Sequence, residues 1–222
     1  MISKNFYNSK EFIDSLNVLS RENFPIFELK NIEEYKKLSR YGTEEWFNIV
    51  RKKIKTIENK KIIDPIGNAV YLSPGNTENF DEYALHLMAG KNKSLSEARK
   101  NRVIGVLLID ETIQNPHAII KEKAKIGSTE GRRVYLAIYN FEKQIGTSVV
   151  VGVEEGQNGR VVTSFVKSGD SHHKNEAVRD FKKNLKTADE ILYVEASLSR
   201  YLRLASELDA SQEDTPLHVV GN

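Results

Sequence analysis

Three segments carry the reading of this chain: RVYLAIYNF at 133–141, TSVVVGV at 147–153 and RVVTSFVK at 160–167. The first alternates with period two, the second is a continuous β-branched run, and the third repeats the alternation, so all three are expected as strands. The connectors EKQIG and EEGQNG are short and rich in Gly and Asn, which predicts hairpins and an antiparallel meander. Ahead of them, His117 to Lys125 is expected to add an edge strand. After them, 175–186 has the spacing of an amphipathic helix, and ILYVEASL at 191–198 reads as a final strand or helix start.

Upstream the period changes to that of helices. Phe12, Ile13, Leu16 and Leu19 space a helix over 9–20 with Ser9 as its N-cap, and a second short helix is expected at 31–40. Thr43 opens a capping pattern ahead of Trp46, Phe47, Ile49, Val50, Ile54 and Ile57, predicting a helix that ends near Asn59. Asp64-Pro65-Ile66-Gly67 is a turn, NAVYLS at 68–73 a short strand, and Pro74-Gly75-Asn76 a second turn. A helix over 78–90 closes at Gly90, and a further helix runs over 95–114 to Asn115-Pro116. Helices first and a meander second make an α+β fold: N-terminal helices followed by an antiparallel β-meander with packed helices. Three regions follow: helical residues 1–62, an α+β domain at 63–195, and a helix end with an acidic tail at 196–222. From Leu204 onward there are four acids and no bases, which predicts disorder.

Composition narrows the function classes. The 222 residues carry 33 basic and 31 acidic side chains, a net +2, which excludes a strongly basic DNA-coating protein but leaves room for a local phosphate site. There is no cysteine, which excludes disulfide scaffolds, thiolate zinc sites and a cysteine nucleophile. The N-terminus MISKNFYNSKEF has no apolar signal core, and no stretch approaches the roughly 18 apolar residues of a membrane span. A cytoplasmic protein with no membrane partner is the expectation. No HExxH, P-loop or GxGxxG occurs, and no cofactor or metal is expected.

Residues 67–167 resemble one family arrangement. VYLS precedes a helix carrying a histidine, YALHLMAGK. DETIQNPHAI closes the next helical stretch, Arg-Arg enters the meander, VVVGV forms its centre and VVTSF its exit. This is similar to the barnase, EndoU, colicin RNase and RelE-like nuclease superfamily, in particular its phage-encoded branch. The resemblance implies metal-independent endoribonuclease chemistry, as in a toxin or phage effector. In it a ribose 2′-OH attacks the adjacent phosphate and leaves a 2′,3′-cyclic phosphate. Such chemistry needs a base, an acid and donors on the phosphate.

By the resemblance, His86 takes the acid–base position, with His117 as second choice. Arg132 and Arg133 point to opposite faces of a strand, so one of them would meet the phosphate. Tyr135 shares the Arg133 face and could donate a hydrogen bond. Thr163 or Ser164, of which alternation allows only one to face the site, would orient the phosphate, and Lys167 would add charge. Each has a plainer reading: a carbonyl-bonded helix histidine, a solvated strand entrance, ordinary strand packing. His172 and His173, with Asp170, read as a solvated loop, and Glu154-Glu155 as a solvated turn. RNA is the expected partner. A protein partner or inhibitor would use the N-terminal helices or the acidic tail. The alternative is a non-catalytic module on the same fold that binds nucleic acid or protein.

Overall fold

A computed structural model of the chain describes residues 4–29, 32–58, 60–74, 79–90, 94–122, 131–141, 145–155, 158–168 and 176–213. The 170–173 histidine loop, the Pro-Gly-Asn turn beyond Pro74, both hairpin tips and the tail from 214 lie outside the described residues. The three segments of the meander are β5 (Arg132–Asn140), β6 (Ile145–Glu155) and β7 (Asn158–Ser168), paired antiparallel in sequence order. They form the middle of one mixed sheet with β2 (Ile62–Ile63), β3 (Ala69–Tyr71), β4 (Ala118–Glu122) and β8 (Glu190–Val194), in the order β2-β3-β7-β6-β5-β4-β8. All neighbours are antiparallel except β3 and β7. β4 reaches only to Leu136 of β5. Further along that edge, β1 (Phe27–Glu28) pairs parallel with Tyr139 and Asn140.

β5 shows why the sheet lies at the centre of the molecule. Val134, Leu136 and Ile138 enter one core, and the intervening Tyr135, Ala137 and Tyr139 enter another. A strand apolar on both faces needs a covering layer on each side. On the Tyr135 face these are α4 (Thr43–Ile57), α5 (Phe80–Ala89), α6 (Lys100–Leu107) and α7 (Ile109–Gln114). They bring Val50, Ile54, Tyr83, Leu87, Val103, Val106, Ile109 and Ile113. On the Val134 face these are α2 (Lys10–Ser15), α8 (Glu176–Thr187) and α9 (Ala196–Glu213), through Phe12, Phe181, Leu185, Leu198 and Leu202. The short α1 (Lys4–Tyr7) adds Tyr7, and α3 (Ile32–Lys37) leads into buried Leu38. The fold is therefore α+β, with helices from both ends of the chain sharing cores with the meander.

Several local expectations change. The segment at His117 forms β4, an interior strand between β5 and β8 rather than an edge, because Ala118, Ile119 and Ile120 are apolar on both faces. The expected 95–114 helix is a 3-10 turn at Leu95–Glu97, extended Ala98 and Arg99, and two helices separated at Leu108, whose backbone sits at φ −94°, ψ 0°. Gly42, not Thr43, occupies the cap of α4. The acidic stretch after Leu204 is helical as far as Glu213. Packed Leu198 and Leu202 nucleate α9, and good helix formers with an i,i+4 Arg203–Glu207 ion pair at 2.9 Å extend it. No helix among the described residues is long and apolar enough to cross a membrane.

The sheet curls. The Tyr135 hydroxyl of β5 donates to the Asp64 carboxylate just after β2 at 3.0 Å, although three strands stand between β2 and β5 in the sheet order. β3 pairs with β7 only over Asn158–Arg160, and beyond that α6 packs against β7. The approach is very close: a Cβ at Gly105 would lie 2.4 Å from Cα and 2.5 Å from N of Phe165. Backbone cannot yield as a side-chain tip can, so Gly105→Ala is expected to lower stability by about 1–3 kcal/mol or more, as overpacking does. Thermal and urea melts of the variant check this, and a wild-type melting temperature would show that α6 is free to shift.

Candidate active site

The seam of α5, α6 and β7 gathers polar groups at the margin of the sheet. Asn79 caps α5 by accepting from the Glu82 amide at 2.9 Å, which fixes where the helix starts. Gly90, at φ +73°, ends it, and its amide donates to the His86 carbonyl. His86 thus belongs to the last turn of α5 and is half-buried. The next carbonyl, Leu87, accepts a long bond of 3.5 Å from Nη1 of Arg102 on α6. The same Nη1 donates to the Thr163 hydroxyl of β7 at 3.3 Å, and the guanidinium carbon stands 5.9 Å from the Phe165 ring centre. Burial, with Arg99 nearby, lowers the Arg102 guanidinium from its usual value. Arg102 makes no ion pair with any described carboxylate.

Thr163 and Ser164 separate as strand alternation requires. Ser164 is fully buried opposite Val150, and its hydroxyl has no hydrogen-bond partner among the described residues; Thr163 is partly exposed and meets Arg102. Arg132 and Arg133 separate too. The Arg133 side chain, only 11% exposed, stands with Nη1 3.6 Å from the buried Asp64 carboxylate and donates to the Tyr135 hydroxyl at 3.4 Å. Burial, only partly opposed by Arg133, pushes the Tyr135 phenol well above its ordinary value. Arg133 and Tyr135 are therefore joined to each other and to Asp64, and Arg132 is partly exposed at the start of β5. Lys167 is exposed and pairs with Asp180 of α8 at 3.7 Å.

His117 stands in the core, fully buried and stacked on Phe27 with ring centres 3.8 Å apart. Its Nε2 donates to the Pro25 carbonyl and its Nδ1 accepts from the Ile138 amide at 3.1 Å, so both nitrogens are used and the neutral ring is the form that fits. Burial lowers its pKa to about 4, against the pull of the Pro25 bond and Glu195.

Sequence reasoning passed over Arg102 and Asp64. Arg102 sits in a basic run, EARKNR, next to Val103, where helical spacing marks only the apolar residues. Asp64 reads as an ordinary turn residue in DPIG. Among the described residues no group of three or more His, Asp or Glu side chains is placed to hold a metal ion. Comparison with family models, curated proteins and solved structures finds no match to this chain.

Because the folded-state pKa of His117 lies below its unfolded value of 6.5, its stabilising contribution is present above that pH and is lost as pH falls toward about 4. The loss approaches about 3 kcal/mol, at 1.36 kcal/mol per pKa unit. Urea melts across this range should show the stability gap between wild type and His117→Gln narrowing on acidification. A gap independent of pH would mean that His117 titrates normally.

Proposed function

We propose that this chain is an endoribonuclease, with His86, Arg102 and Thr163 acting at the α5–α6–β7 seam. The observation that carries the reading is Arg102. It is a partly desolvated guanidinium with no carboxylate partner among the described residues, tied to a strand hydroxyl and to the helical turn that bears a histidine. A guanidinium so placed can accept a phosphate, because no acid has to be displaced first. The imidazole of His86 takes the proton from the ribose 2′-OH as its oxygen bonds to phosphorus. The bond to the 5′-oxygen breaks as that oxygen takes a proton from water, leaving a 2′,3′-cyclic phosphate and a 5′-hydroxyl. Arg102 offsets the charge that builds on the non-bridging oxygens. Thr163 orients the guanidinium and, with it, the phosphate.

Arg133 favours a second reading. Of the pair Arg132 and Arg133, one of which is expected to meet phosphate, Arg133 is committed to Asp64, which suits a module that binds nucleic acid or protein without cleaving it.

Incubation of the chain with labelled RNA in EDTA distinguishes the two. Cleavage to cyclic-phosphate ends supports the nuclease, and intact RNA supports the module. His86→Ala should lower the rate by about 10²–10⁴-fold. Arg102→Gln should cost about 10²–10³-fold. Thr163→Val should cost about tenfold or less, the worth of one neutral hydrogen bond. Arg132→Ala should be close to wild type. Wild-type cleavage by folded His86→Ala would remove His86 from the reaction.

A further inference from the structure

The curl of the sheet leaves a cavity that takes no residue from α5, α6 or β7. It has a volume of about 660 Å³ and lies where the β2–β3 turn faces β8 and the start of α9. That size is within the range of small-ligand sites. Pro65 and Ile66 line it from the β2–β3 turn, Tyr193 and Val194 from β8, and Tyr7 from α1. The Ser199 hydroxyl donates to the Tyr7 hydroxyl at 3.3 Å, and Pro65, Ile66, Leu192, Val194 and Ala196 make the lining mainly apolar. Ile66 is 42% exposed, an apolar side chain left at the mouth.

The charged residues that line this cavity are both basic. Arg200 and Arg203, one turn apart on α9, both line the cavity. Arg203 is neutralised by Glu207 at 2.9 Å. Arg200 makes no ion pair with any described residue. The Glu195 carboxylate is turned to the helix start, accepting the amides of Ser197 at 3.0 Å and Leu198 at 3.1 Å. Among the described residues, the rim therefore presents one guanidinium without a carboxylate partner, beside a mainly apolar lining.

We propose that this cavity binds an amphipathic organic anion, its apolar body between Ile66 and Tyr193 and its anionic head on Arg200. A guanidinium recognises a carboxylate or a phosphate ester by the same paired N–H donors, so both head groups belong to this chemistry. The site is independent of the RNA reading and stands or falls separately from it.

Calorimetric titration of the full chain with dodecanoate, dodecyl phosphate and dodecanol, each below its aggregation limit, tests it. Saturable one-to-one binding of dodecanoate or dodecyl phosphate, at least about tenfold tighter than dodecanol, is expected, and the tighter of the two identifies the head group. Arg200→Gln should bring the anion down to the dodecanol level. Ile66→Glu, at an exposed position, should abolish anion binding without a change in melting temperature. Equal affinity for dodecanol and both anions, no saturable binding, or wild-type affinity in Arg200→Gln would each overturn the proposal.

Discussion

A single buried carboxylate ties the two halves of the sheet together. The Asp64 side chain has no solvent exposure, so its charge has to be met from within the protein. The amides of Ile66 and Asn68 donate to it at 3.1 and 2.7 Å, and the Asn68 side chain at 3.2 and 3.3 Å, which shapes the turn after β2. The Tyr135 hydroxyl and the Arg133 guanidinium come from β5, in the middle of the sheet. These donors reach one carboxylate only if β2 and its turn bend back over β5. Removing Asp64 would take the carboxylate away from both the Arg133 guanidinium and the Tyr135 phenol.

The curl has two consequences for surface chemistry. At one end it sets Pro65 and Ile66 opposite β8, leaving a cavity between them. At the other, β3 follows β7 for only three residues, and α6 takes over where the strand pairing stops. Gly105 permits that contact because backbone meets backbone without a Cβ between them. One turn earlier on the same helix, Arg102 is delivered to Thr163 and to the end of α5. The packing of a glycine and the placement of a cation are thus one structural event.

Position relative to the cores separates polar residues that look equivalent in the chain. Thr163 and Ser164 are neighbours, yet one meets a cation and the other is sealed opposite Val150. Arg133 is drawn inward by Asp64, while Arg132 stays at the strand entrance. His117 has both nitrogens spent on backbone groups and its ring on Phe27, while His86 sits half-buried in a helical turn beside the Arg102 contact. Titratable groups already saturated by the fold have little capacity left for a substrate.

Periodicity alone gives the α+β class, the three strands of the meander, the α5 helix with its closing glycine and the amphipathic α8, because each follows from local spacing, capping and turn chemistry. It also gives the split between Thr163 and Ser164, since alternation is a property of any strand. It does not give the interior place of β4, the break at Leu108 or the length of α9, which depend on what packs against them. Nor does it reveal Arg102 or Asp64. One arginine in a basic run and an aspartate in a turn have no local signature. Their roles come from partners 61 and 71 residues away, brought together only when the sheet curls.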